Sequence, residues 1–179
     1  IVLGIGGYRM LQALGFSIRK YHMNEGHSAL LALELMHHYA YPPEHIRANE
    51  PSCDLPRVRE QCVFTTHTPV EAGHDKFSYD LIARTLEGYT DIRILRTLAG
   101  QDSLNMTQLG LTLSEYVNGV AEKHAQTSRR LFPGHPVHAI TNGAHPNWTG
   151  AAFATLFDRH LPRWRHEPQC LMRADQIAD

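Results

Sequence analysis

The chain has 179 residues, 42% of them hydrophobic, enough to bury a sizeable core as one soluble domain or as a large piece of something bigger. Seventeen Lys and Arg against eighteen Asp and Glu leave a formal charge of -1, which argues against a nucleic-acid partner, and no apolar run approaches the roughly 20 residues that cross a bilayer. Three cysteines, Cys53, Cys62 and Cys170, lack close paired spacing and point to free thiols in a reducing compartment, the cytoplasm by default.

The chain opens on Ile1-Val2-Leu3-Gly4-Ile5, without an initiator Met and already apolar, so we read it as an excised piece of a longer protein. Gly4-Ile5-Gly6-Gly7 resembles a phosphate loop, but Arg9 stands where the third glycine would fall, and close helix packing explains these glycines as well. Apolar spacing predicts a helix over residues 6–14 capped by Gly15, then a first strand over 21–23. Ser28 opens a helix over 29–36 that is apolar at nearly every position, hence buried on more than one side. Residues 41–56 read as a loop, broken by Pro42, Pro43, Pro51 and Pro56.

A short helix over 57–61 is expected to feed a second strand over 62–65, with a loop over 69–74. Residues 77–86 and 103–131 are predicted helical, the latter interrupted at Val117-Asn118-Gly119. Pro133 and Pro136 bracket a turn into a third strand starting at Val137, and a helix over 151–160 leads into a charged tail. Strands alternating with helices imply an α/β fold with a parallel, doubly wound sheet.

Two apolar runs end abruptly in histidine-bearing polar turns, Tyr21-His22-Met23-Asn24-Glu25-Gly26-His27 and Val63-Phe64-Thr65-Thr66-His67-Thr68-Pro69. A weaker repeat of the form is Val137-His138-Ala139-Ile140-Thr141-Asn142-Gly143. A parallel strand buried on both faces tolerates polar groups only where it leaves the sheet, so these groups should gather at its carboxyl edge. Asn24, Glu25, His27, His67, Thr68, Asn142 and His145 supply neutral donors and acceptors and one carboxylate, a set suited to reading hydroxyl groups, so a sugar fits better than a phosphate. Capping by Asn24, Ser28, Thr66 or Thr68 is the competing explanation for any one segment. The 13 histidines lack a His-Glu-x-x-His form, so no metal centre is expected. Arg129, Arg130, Lys123 and His124 form either an anion patch or, more ordinarily, a solvated helix face.

Met23-Asn24-Glu25-Gly26-His27, Thr66-His67-Thr68, Leu104-Asn105-Met106, Val117-Asn118-Gly119-Val120-Ala121 with His124, and Thr141-Asn142-Gly143 with Trp148 resemble, in order, the motifs of the α-glucan phosphorylases, most of all the shorter bacterial or archaeal type. The resemblance implies a glycosyltransferase B-type architecture with the active site between two Rossmann-like domains. Residues 1–150 would be the second half of the N-terminal domain, and 151–179 the crossover toward a C-terminal cofactor-binding domain. It implies cleavage of an α-1,4-glucan or maltooligosaccharide by inorganic phosphate, giving glucose 1-phosphate with retained configuration. Pyridoxal phosphate would serve the full-length enzyme through its phosphate; none of Lys20, Lys76 or Lys123 stands in a motif like that of its lysine, so the isolated chain should be inactive.

By the same resemblance His67 is the catalytic histidine, its backbone carbonyl facing the developing oxocarbenium charge and its ring near the sugar 6-hydroxyl, which Asn142 also holds. Glu25 and His27 would line a pocket beside the anomeric carbon, with Asn24 and Thr68 among the substrate-binding residues and Asn118 and Val120 supporting the wall. The animal enzymes carry Asp where Glu25 stands. A homo-oligomer is compatible with the family. The alternatives are a nucleotide-sugar glycosyltransferase of the same fold and a noncatalytic glucan-binding module.

Overall fold

A computed structural model describes residues 1–46 and 52–177. They fall into two compact units, Ile1–Thr141 and Asn142–Asp179. In the first, a helical turn, Val2–Gly6, runs into α1 (Gly7–Ala13), followed by β1 (Tyr21–Asn24), α2 (Leu31–His38), α3 (Leu55–Glu60) and β2 (Cys62–Thr66). Then come β3 (Lys76–Ser78), α4 (Tyr79–Thr85), α5 (Ile92–Ala99), β4 (Ser103–Asn105), α6 (Met106–Thr112), β5 (Tyr116–Gly119), α7 (Glu122–Leu131) and β6 (His138–Ala139). The second unit holds α8 (Ala151–His160) and a tighter helical stretch, Pro168–Gln176.

Four strands form one parallel sheet in the order β1-β2-β5-β6, a Rossmann-like α/β arrangement. Met23, Phe64 and Val117 stand side by side in register, as do Asn24, Thr65 and Asn118. Because side chains alternate along a strand, the first row shares one face and the second, with His22, the other. Met23, Phe64 and Val117 are buried. Against them α6 packs so closely that a Cβ at Gly110 would lie 2.5 Å from Phe64 Cε2. On the opposite face the edge strand β1 departs from the expectation of strands buried on both sides, since His22 and Asn24 are exposed, whereas Thr65 of β2 and Asn118 of β5 are buried.

Residues 103–131 are not the interrupted helix that their composition predicts. Asn105 ends β4 and caps α6, its Oδ1 accepting from Gln108 N at 3.1 Å, and Val117-Asn118-Gly119 is the third strand of the sheet. Helix α6 is two turns long, and its apolar residues run into those of β5 without a proline or glycine between them, so local periodicity cannot separate them. The strand beginning near Val137 is therefore the fourth of the sheet. Residues 77–86 likewise start as β3, antiparallel to β4, before the Ser78 hydroxyl caps α4 by accepting from Leu81 N at 3.3 Å. Helix α5, absent from the expected elements, is started by Asp91, whose Oδ1 accepts from Arg93 N at 2.8 Å, and buries Leu95 and Leu98.

The glycine-rich start is helical rather than a phosphate loop: a Cβ on Gly4 would lie 2.8 Å from Leu31 N, so the glycine permits contact with the start of α2. Gly15 takes φ +77° just past α1, as a capping glycine does. Pro56 does not break structure but sits in the first turn of α3, capped by Asp54 through Arg57 N at 3.0 Å. Pro51 lies outside the described residues, as do the last two residues of the 151–179 segment. Within the second unit, Phe157 meets Trp164 edge-on at 5.4 Å, Trp164 Nε1 donates to Asp158 Oδ1 at 2.8 Å, and Arg165 forks onto both Asp158 oxygens.

Candidate functional site

The carboxyl edge of the sheet carries two linked polar systems. Thr65 Oγ1 donates to Asn118 Oδ1 at 2.9 Å, so its proton is committed, and His22 Nε2, 2.7 Å away, must donate to it. Asn118 Nδ2 then donates to the Gly119 carbonyl at 3.3 Å. The chain of bonds runs across β1, β2 and β5 and leaves every buried member paired.

The second system is built on Glu25, which immediately follows β1. It is only 8% exposed and holds φ +65°, in a region that side chains with a Cβ rarely occupy and that costs about 1–3 kcal/mol. Its amide continues the ladder to Thr65 O at 2.8 Å, and its side chain reaches across to the end of β2. There Oε1 accepts from the amide of His67, from Thr68 N at 2.9 Å, and from the hydroxyls of Thr68 at 3.2 Å and Thr66 at 3.3 Å. Oε2 accepts from Gly26 N at 3.3 Å. Burial alone would push this carboxyl up, but the donors from His67, Thr68, Gly26 and Thr66 hold it below the usual carboxylate value. Glu25 is therefore a buried carboxylate stabilised by hydrogen bonds.

His67 stands at the tip of the arrangement. Its backbone is tied to Glu25, and its exposed ring sets Nε2 2.6 Å from Asn24 Oδ1. The amide oxygen can only accept, so Nε2 carries a proton, and in the neutral ring Nδ1 is left as an acceptor. Asn24, Glu25, Thr66, His67, Thr68, Thr65 and Asn118 are thus brought to one edge by β1, β2 and β5. Val120, half-buried, follows β5 directly. His27 is not part of either system: its exposed ring lies 3.7 Å from Asp75. Asn142 and His145 belong to the second unit, where Asn142 is exposed and His145 Nδ1 accepts from Asn147 N at 3.2 Å, capping the short Pro146–Trp148 turn.

His22 and Thr65 join the site although the sequence pattern does not single them out: both lie inside strand runs, and only the pairing of β2 with β5 brings Thr65 to Asn118. The basic group around α7 disperses: His124 is buried, and Arg129 reaches the Val137 carbonyl and Glu122. Burial pushes the Cys62 thiol up to about 12, so this cysteine packs rather than reacts.

Beneath the edge, His74 Nδ1 meets Thr107 Oγ1 at 2.9 Å and its ring lies edge-on to Phe132 at 5.0 Å. Burial lowers its pKa; Lys76 and His124 act in the same sense, while Glu25 and Glu71 oppose. His135 is lowered too, by burial and then by Arg59. Between the depressed folded values and the ordinary 6.5 the unfolded chain binds more protons, so stability is fully present above pH 6.5 and is lost as pH falls. Chemical denaturation at pH 7 and 5.5 should show this acid loss, and H74Q, which keeps a partner for Thr107, should flatten it; an unchanged slope would exonerate His74.

No protein-family model matches the chain. Maltodextrin phosphorylase of Thermococcus litoralis is 38% identical over 92% of this chain and 21% of its own length. Glycogen phosphorylase of Mycobacterium tuberculosis is 32% identical over 87% of this chain and 21% of its own length. Glycogen phosphorylase of Aquifex aeolicus is 25% identical over 90% of this chain and 25% of its own length. The chain thus spans about a fifth to a quarter of the relatives it matches.

Proposed function

The chain belongs to the α-glucan phosphorylase family along the stretch it shares with those enzymes, and on that premise we propose that it supplies the glucosyl-binding side of a site where inorganic phosphate cleaves an α-1,4-glucan. The observation that carries this reading is the double tie on His67, by Asn24 at the ring and by Glu25 at the backbone. A histidine held so firmly at a sheet edge can present a carbonyl dipole and a ring acceptor to one sugar without rearranging. A dipole aimed at charge that appears only in the transition state lowers the barrier rather than merely tightening binding.

In this reading the His67 carbonyl faces the oxocarbenium-like carbon. Its ring, with Nε2 occupied by Asn24, turns Nδ1 toward a hydroxyl, and Asn142 holds the 6-hydroxyl. Thr68, Asn118 and Val120 keep the wall in place. The buried Thr65–Asn118 pair keeps that wall dry and rigid, which strengthens each dipole aimed at the sugar.

Pyridoxal phosphate, when bound to the full-length enzyme, supplies a phosphate that relays a proton. None of Lys20, Lys76 or Lys123 stands in a motif like that of the family's cofactor lysine, so we assign that group to the part of the full-length enzyme outside this chain. No step proposed for this chain runs through that group. We place residues 1–150 in the N-terminal Rossmann-like domain and 151–179 in the crossover. Cytoplasmic location agrees with three cysteines that form no disulfide, and the isolated chain is expected to be inactive. The full-length protein, a homo-oligomer or not, should convert maltooligosaccharide plus inorganic phosphate to glucose 1-phosphate. An absolute requirement for a nucleotide sugar instead would overturn the reading in favour of a glycosyltransferase of the same fold.

A further inference from the structure

We propose that Glu25 is a positioning residue whose side-chain oxygen Oε1, acting as an acceptor rather than through its charge, sets the direction of the His67 carbonyl, and that it does not itself contact the sugar. The inference rests on the reading above, in which that carbonyl faces the charge developing on the glucosyl unit.

Two consecutive amides, those of His67 and Thr68, donate to the same oxygen, Glu25 Oε1. Successive amides that converge in this way form a concave nest for an anion, and here the anion is a side chain of the protein. The peptide joining His67 to Thr68 is trans, since the described residues contain no cis bond. In a trans peptide the carbonyl points opposite to the N–H of the same plane. With the Thr68 N–H on Glu25, the His67 carbonyl must point away from Glu25. A sugar that receives the carbonyl dipole and the Glu25 carboxylate therefore lie on opposite sides of one peptide plane.

The donor count agrees. Oε1 already accepts from two amides and from the hydroxyls of Thr66 and Thr68, and Oε2 is turned to Gly26 N, so little acceptor capacity remains for a sugar hydroxyl. The strained backbone of Glu25 has a use in this arrangement. Its φ of +65° aims the side chain across to β2 while its amide stays on Thr65 O and its carbonyl accepts from Ser28 Oγ at 3.1 Å. Residues held in rare backbone conformations by several such ties tend to serve a site rather than a core.

The test compares Glu25→Ala and Glu25→Gln in the full-length protein. Gln keeps an acceptor for the two amides, whereas Ala frees the loop. Loss of alignment should lower kcat of E25A on the order of 100-fold while the glucan KM stays within about threefold, and E25Q should lie within about tenfold of the unsubstituted enzyme. A raised KM with kcat intact would make Glu25 a sugar contact, and an E25Q loss as deep as that of E25A would show that the charge, not the acceptor, matters; either overturns the proposal.

Amide exchange of the unsubstituted protein tests the clamp without activity and without a variant that must fold. Although the His67 ring is exposed, the amides of His67 and Thr68 should exchange as slowly as those of β2. Free exchange there overturns the clamp. Slow exchange in a protein that performs no phosphorolysis leaves the clamp standing and sinks the functional reading instead.

Discussion

Replacing Phe64 by Ala should destabilise the protein by about 3–5 kcal/mol, the range for deleting a buried aromatic ring. That is a large share of the roughly 5–15 kcal/mol that holds a typical domain together. Phe64 is fully buried at the centre of the sheet, with Met23 of β1 and Val117 of β5 on either side in register. The strand ladder fixes both neighbours, and Gly110 of α6 has no side chain with which to fill the space. The cavity therefore cannot collapse, which places the cost at the upper part of that range. Val63 is the internal control: it faces the other side and is half-buried, so Val63→Ala should cost less than half as much. Urea denaturation of both variants checks the ordering, and equal losses would contradict the assignment of the two faces.

Asn142→Ala in the full-length enzyme should cost about 1–3 kcal/mol of transition-state stabilisation, or roughly five- to 150-fold in kcat/KM, the range for losing a hydrogen-bond partner at a desolvated site. The side chain is exposed in the second unit, so truncating it should leave the unfolding midpoint nearly unchanged. The combination of a catalytic loss with unaltered stability separates a sugar-reading role from a structural one. Steady-state kinetics with a maltooligosaccharide series and with a 6-deoxy analogue supply the check: if Asn142 reads the 6-hydroxyl, the variant should lose its preference for the hydroxylated substrate. An unaltered preference would remove Asn142 from that role.

Much of the edge is legible in the order of the residues. A short apolar run that stops at Asn24-Glu25-Gly26 or Thr66-His67-Thr68 marks a strand leaving a sheet, because buried backbone tolerates such polar clusters only at its ends. Both strands are found where the runs place them, and the glycine at position 15 ends its helix as glycine spacing requires. The failures are local. Helix α6 and strand β5 are short pieces with no proline or glycine between them, so a periodicity read over a longer window blends them, while the helix expected over 77–86 is found as α4 and α5 goes unread. Asp91 before Ile92-Arg93-Ile94-Leu95 is a usable start signal for α5, and Ser78 before Tyr79 is one for α4.

The sequence alone determined the inventory: an α/β chain, polar strand ends rich in histidine, and motifs of the α-glucan phosphorylases in their family order. It also determined which groups are available to read a sugar. Tertiary structure alone decided who meets whom. Thr65 and Asn118 are 53 residues apart along the chain, and Glu25 is 42 residues from His67, yet each pair is joined by a hydrogen bond. Strand adjacency is set by which apolar faces can be buried together, a property of the whole core that no local pattern encodes. The same adjacency turned Glu25 from one more polar residue at a strand end into the group that ties down the backbone of His67.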